Sequence, residues 1–140
     1  MLRLAGFENF ALNAGGDIRL VGGACPDRSW RVGIQHPLLR DRIAAVVEAD
    51  DIAVATSGAY ARGDHVVDPD TRRPPEGVLS VTVTGPDLAT ADAYATAAFA
   101  MGAERAPAWT ATLPGGYEAM TILASSRVVF TPGFPRAEPS

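Results

Sequence analysis

Val78-Leu-Ser-Val-Thr-Val-Thr-Gly-Pro-Asp-Leu-Ala-Thr-Ala-Asp-Ala-Tyr-Ala-Thr-Ala-Ala-Phe-Ala-Met-Gly102 is the stretch on which the fold class turns. Residues 78–84 alternate between apolar and hydroxyl side chains, the period of a strand with one face in a core. Gly85-Pro86-Asp87 breaks that pattern. Asp87 or Thr90 then supplies a cap for a helix over about 87–101, and Gly102 is a usual residue just past a helix end. Working outward, residues 104–112 suggest a second short helix with Pro107 in its first turn. Residues 117–123 and 127–131 read as a closing hairpin around Ser125-Ser126. Upstream, residues 43–48 and 51–56 are β-branched runs separated by Ala49-Asp50, again a hairpin signal. Residues 30–34 form another strand, stopped by His36-Pro37, and 10–13 with 17–21 make a hairpin across Ala14-Gly-Gly16. Residues 1–6 look like the last turn of a helix closing at Gly6. Strands dominate and the main helix sits between two groups of them, so the class is α+β: mainly an antiparallel sheet of hairpins with one main helix.

A chain of 140 residues is long enough for one domain with its own core. The organisation expected is a single domain over 1–134 and a Pro-rich, frayed tail over 135–140. The net charge of −4 argues against nucleic acid as the main partner. All 12 basic residues are arginine, which rules out a Schiff-base or P-loop lysine. Cys25 is the single cysteine, so no intramolecular disulfide forms, and its turn setting without a nearby histidine points to a structural thiol. The longest apolar window is too short to span a bilayer, and no signal peptide is visible, which points to the cytoplasm if the chain is complete as given.

Residues 55–69, Ala-Thr-Ser-Gly-Ala-Tyr-Ala-Arg-Gly-Asp-His-Val-Val-Asp-Pro, concentrate polar and ionisable groups directly after a strand pattern. Such density is costly unless the groups face a ligand or a hydrogen-bonded turn. Thr56 and Ser57 can offer hydroxyls to a phosphate or a ring carbonyl, and His65 can take a proton or bond a phosphate. Asp68, ahead of Pro69, has the setting of a turn-former. On the main helix Asp92 and Thr96 lie four residues apart and share a face. Carboxylate and hydroxyl oxygens are hard ligands suited to Mg²⁺, yet the pair is equally a polar face near a capping turn. Gly16 and Asp17, in Asn13-Ala-Gly-Gly-Asp17, let backbone amides and a carboxylate approach a ribose or flavin edge, or simply build a turn. His36 reads as a surface histidine at a strand end. A Ser-His-Asp triad and a zinc site both lack the necessary spacing.

In order along the chain, Asn-Ala-Gly-Gly-Asp (13–17), Trp-Arg-Val-Gly-Ile followed by Pro (30–37), Ala-Val-Ala-Thr-Ser-Gly-x-Tyr (53–60), His-Val-Val-Asp-Pro-Asp-Thr (65–71), Ser-Val-Thr-Val (80–83) and Ala-Asp-Ala-x-Ala-Thr-Ala-x-Phe-x-Met-Gly (91–102) resemble the ApbE family, the FAD:protein FMN transferases. The resemblance covers roughly residues 5–131 and is to the C-terminal half of that family's fold. Arg72 stands where the family pattern has a glycine after Asp-x-Thr. The resemblance implies Mg²⁺-dependent transfer of FMN from FAD to a threonine or serine hydroxyl of a target protein, with AMP released. It implies Asp92 and Thr96 as metal ligands, His65 as the catalytic proton acceptor, and Thr56, Ser57, Gly16 and Asp17 on the flavin side. The alternative it carries is a truncated, non-catalytic flavin-binding or interaction module. Such a module would pair with itself, or with a partner carrying the N-terminal half, through an exposed apolar surface.

Overall fold

Every strand expected from the alternation forms, but not every pairing does. The computed structural model describes residues 1–59 and 67–138. Strands β1 (Phe10–Ala14), β2 (Asp17–Val21), β5 (Ala53–Gly58), β6 (Val78–Gly85), β7 (Glu118–Leu123) and β8 (Val128–Phe130) make one antiparallel sheet in the order β1-β2-β5-β6-β7-β8. Strands β3 (Trp30–Gln35) and β4 (Ile43–Ala49) form a separate two-stranded ribbon. The hairpin expected between residues 43–48 and 51–56 is therefore not made. β4 pairs with β3, and β5 pairs with β2 and β6. Asp51, at φ 47°, turns the chain between the two layers, with Gly22 N–H donating to its carboxylate at 2.9 Å. Two β-branched runs close in sequence signal strands, and partner choice is set by which core each strand's apolar face enters.

The helix α1 (Leu88–Thr110) starts where the cap was expected: Asp87 accepts from Thr90 N–H at 2.9 Å and from the Thr90 hydroxyl at 2.8 Å. Its expected end at Gly102 is a break rather than a stop. Gly102 has φ 77° and ψ −179°, and Ala103 N–H donates to Glu76 O at 3.0 Å instead of continuing the first helix. Left-handed backbone is cheap only for glycine, and a Cβ here would lie 3.2 Å from Glu76 O. The second helical run then continues to Thr110, with Pro107 inside it. Residues 1–6 form a single turn closed by Gly6 N–H to Arg3 O at 3.1 Å.

Two cores lie on opposite faces of the large sheet. On one face Ala91, Ala95, Ala98 and Ala106 of α1, all fully buried, form a narrow stripe against Ala53, Ala55, Val81, Val83 and Ala119. Small residues on both sides bring helix and sheet close. Tyr94 packs edge-on against Trp109 and Tyr117 at 5.8 and 5.1 Å between ring centres, and Tyr117 Oη accepts from Asp87 N–H. On the other face the ribbon contributes Ile34 and Val47 against Val54, Met120, Ile122 and Phe134. The tail, where proline content suggests fraying, runs along β4 instead. Glu48 N–H donates to Pro135 O at 2.9 Å and Ala137 N–H to Val46 O at 2.7 Å.

Candidate functional site

β5 ends where β6 begins, at one end of the two central strands, since Gly58 pairs with Ser80. The helix returns to that same end of the sheet, where Ala103 meets Glu76. The polar residues of the β5 end and the polar face of α1 are thereby brought together. Ser57 Oγ and Thr96 Oγ1 lie 3.1 Å apart, joining strand to helix. Ser57 is buried at 4% exposure and Thr96 is half-buried. Asp92 stands one helical turn before Thr96, and its Oδ1 is shut off from solvent. The result is a cluster of one carboxylate and two hydroxyls.

Hard oxygens of this kind suit Mg²⁺, which takes few protein ligands and completes its shell from water and phosphates. Among the described residues no group of three His, Cys, Asp or Glu side chains is placed to hold a metal. The oxygen donors that the cluster offers are the Asp92 carboxylate and the Ser57 and Thr96 hydroxyls.

Thr56 and Ser57, grouped as one wall by their adjacency, point to opposite faces of the sheet, as strand geometry demands. Thr56 Oγ1 hydrogen-bonds Thr82 Oγ1 at 2.8 Å on the ribbon face. There Thr56 and Gly16 line a cleft of about 310 Å³ with Ile18, Val32, Val54 and Asn13. Asn13 Oδ1 accepts from Gly16 N–H at 2.9 Å, closing the β1–β2 turn. Asp17 instead reaches across to β5, its Oδ1 accepting from Thr56 N–H at 3.4 Å. Gly16, Asp17 and Thr56 therefore form one group, while Ser57, Asp92 and Thr96 form another. His65 lies outside the described residues.

Sequence reasoning did not find the role of Arg105. Its guanidinium bridges Asp68 at 2.7 Å and Asp70 at 3.2 Å, tying the proline-rich loop to the second helical run. Asp68 is a turn-former as expected, accepting from Asp70 N–H at 2.9 Å. That amide and the Arg105 guanidinium hold its carboxyl below the usual carboxylate range. Arg72, in the same turn, adopts φ 58°, a left-handed conformation that costs a side chain about 1–2 kcal/mol and a glycine little. A cavity of about 890 Å³ is lined by this loop together with Met101, Ala103 and Glu104. No signal along the chain announces a contact 37 residues apart such as Arg105 to Asp68. His36 Nδ1 accepts from Leu38 and Leu39 N–H, a local turn role, and Cys25 is exposed.

An antiparallel sheet with a helix on one face, a ribbon on the other and an oxygen cluster between its central strand β5 and the helix defines the class as α+β. Comparison with known proteins narrows that class. A sequence model of the ApbE family matches residues 1–121. The FAD:protein FMN transferase of Vibrio cholerae serotype O1 is 39% identical over 114 residues, covering 74% of this chain and 34% of that protein. The FAD:protein FMN transferase of Rhodobacter capsulatus is 38% identical over 114 residues, covering 76% of this chain and 22% of that protein. Among solved structures, the ApbE protein of Thermotoga maritima superposes with a TM-score of 0.81 at 30% identity, over 92% of this chain and 45% of that one. The flavin transferase ApbE from Vibrio cholerae gives 0.78 at 32% identity, over 95% and 45%. The chain belongs to the ApbE family, and it spans about a third of the length of the V. cholerae relative.

Proposed function

We propose that this chain takes part in transferring FMN from FAD to a threonine or serine hydroxyl of a target protein, with AMP released. The observation that carries this reading is the Ser57–Thr96 contact beside Asp92 in a member of the ApbE family. Relatives named FAD:protein FMN transferase supply the reaction class. In the reaction the target hydroxyl oxygen forms a bond to the phosphorus of the FMN moiety. The bridging P–O bond breaks, and AMP leaves with the electron pair. His65 takes the hydroxyl proton; this assignment rests on its place in His-Val-Val-Asp-Pro (65–69). Asp92 and Thr96 would hold a magnesium ion, which would neutralise pyrophosphate charge and make the phosphorus more electrophilic. Gly16, Asp17 and Thr56 are assigned to the flavin side, where the cleft between β2, β3 and β5 offers apolar walls and backbone amides.

A second reading has the chain bind flavin without transferring it, unless another polypeptide, or a second copy, completes the site. It is favoured by Met1, Leu4 and Phe7, apolar side chains that stand exposed at 101%, 94% and 55%. Calorimetry with FAD, with and without Mg²⁺, tests both readings. We expect Mg²⁺-dependent binding that weakens at least tenfold in Asp92→Ala. A flavin-fluorescent target band that disappears in His65→Ala supports transfer. Binding without any band supports the second reading, and no FAD binding in the presence of Mg²⁺ overturns both.

A further inference from the structure

A hydroxyl that gives a lone pair to a cation must send its proton elsewhere. The Thr96 hydroxyl has a specific place to send it. Ser57 Oγ lies 3.1 Å from Thr96 Oγ1, across the gap between β5 and α1. Ser57 is 4% exposed, so bulk water does not compete for that bond. Ser57 is itself fixed by β5, which pairs through its length with β6. The helix cannot drift from it, because Ala91, Ala95 and Ala98 press α1 onto the sheet.

We infer that Ser57 is a positioning residue for the cation side of the site. It accepts the Thr96 proton and so turns the Thr96 lone pairs outward, toward the space beside Asp92. The inference rests on the proposed role of Asp92 and Thr96. It removes Ser57 from the flavin side, where its neighbour Thr56 remains. Outer partners of this kind are commonly worth 10–100-fold in metal affinity, because they orient the ligand before the metal arrives.

The test is Mn²⁺ titration followed by electron paramagnetic resonance, alone and with FAD present, with Mg²⁺ as competitor. Wild-type protein is expected to bind Mn²⁺, and Asp92→Ala to lose it. Ser57→Ala should raise the Mn²⁺ dissociation constant about tenfold or more. Ser57→Cys keeps the volume but makes a poor acceptor, and should show the same loss with an unchanged melting temperature. Ser57→Thr keeps the hydroxyl on a strand that tolerates β-branching, and should restore affinity. Thr84→Val, on the ribbon face of β6, should leave Mn²⁺ affinity as it is. Unchanged affinity in Ser57→Ala, with loss in Asp92→Ala, overturns the role of Ser57 alone. Equal loss in Ser57→Ala and Ser57→Thr also overturns it, since any change of volume would then suffice. Failure of wild-type protein to bind Mn²⁺, or full affinity in Asp92→Ala, overturns the proposed metal site and this inference with it.

Discussion

The two faces of the six-stranded sheet are covered by different means, and the difference explains where the polar residues go. On the helix face the contact is made by alanines, so backbones lie close and few side-chain atoms intervene. A hydroxyl placed there, such as Ser57, reaches the helix directly. On the ribbon face larger side chains, Met120, Ile122, Ile34 and Phe134, fill the space. There Thr56 bonds Thr82 within the sheet, while the Thr84 hydroxyl has no hydrogen-bond partner among the described residues. Adjacent residues of one strand thus enter environments with different reach. A close-packed face lets a strand hydroxyl reach the helix, as Ser57 reaches Thr96.

Removing bulk from each face should break this contrast most strongly. Phe99, 3% exposed, is the largest buried side chain of the helix-face core among the described residues, and Phe99→Ala should cost about 3–5 kcal/mol. Met120→Ala, fully buried on the ribbon face, should cost about 2–5 kcal/mol. Urea denaturation measures both. The helix-face change should in addition weaken FAD binding, because it lets α1 move relative to Ser57.

Acid sharpens the comparison next. The helix layer is held by carboxylates with depressed pKa values: Asp87, lowered first by the Thr90 amide, and Asp68, lowered first by the Asp70 amide. Their folded values lie below the unfolded ones, so the stability they give is present above about pH 4. It is lost as pH falls through the folded values. The ribbon layer depends on backbone hydrogen bonds, with Arg31–Glu48 an exposed pair across it. The melting temperature should fall as pH drops below about 4, and less steeply in Asp68→Asn, whose side chain no longer titrates.

The smallest effect is expected from two buried threonines, one on each face. Thr121 on the helix face and Thr84 on the ribbon face have hydroxyls without a hydrogen-bond partner among the described residues. Replacing such a group by an apolar one of the same shape is nearly neutral or stabilising. Thr121→Val and Thr84→Val should each leave stability within about 1 kcal/mol of wild type, or raise it, by urea denaturation. A larger loss in either would reveal a polar contact on that face.

The sequence was most legible where local chemistry decides. Alternation in residues 78–84 and the Asp87 cap were enough to place β6 and the start of α1. Partner choice was not legible. Residues 43–48 and 51–56 have the appearance of a hairpin, and only the burial of Val47 in one layer and Ala53 in another separates them. For the site, the spacing of Asp92 and Thr96 identified a shared helical face, but their meeting with Ser57 depends on the return path of the helix. The separation of Thr56 from Ser57 was available in principle, because strand side chains alternate. Arg105 was invisible, since its partners lie across the loop and the helix break. Arg72 was flagged only as a departure from a glycine, and its φ of 58° supplies the physical reason.

The tail lying along β4 has a consequence for how copies of the molecule behave toward each other. A two-stranded ribbon exposes amide and carbonyl groups along both edges, which can template pairing with a neighbouring chain. Pro135 and Ala137 occupy that edge of β4 through their backbone bonds to Glu48 and Val46. Arg136, between them, lays its guanidinium over the Phe130 ring at 4.6 Å. Proline and arginine are poor partners for a further strand, so the end of the chain acts as a guard against edge-to-edge aggregation.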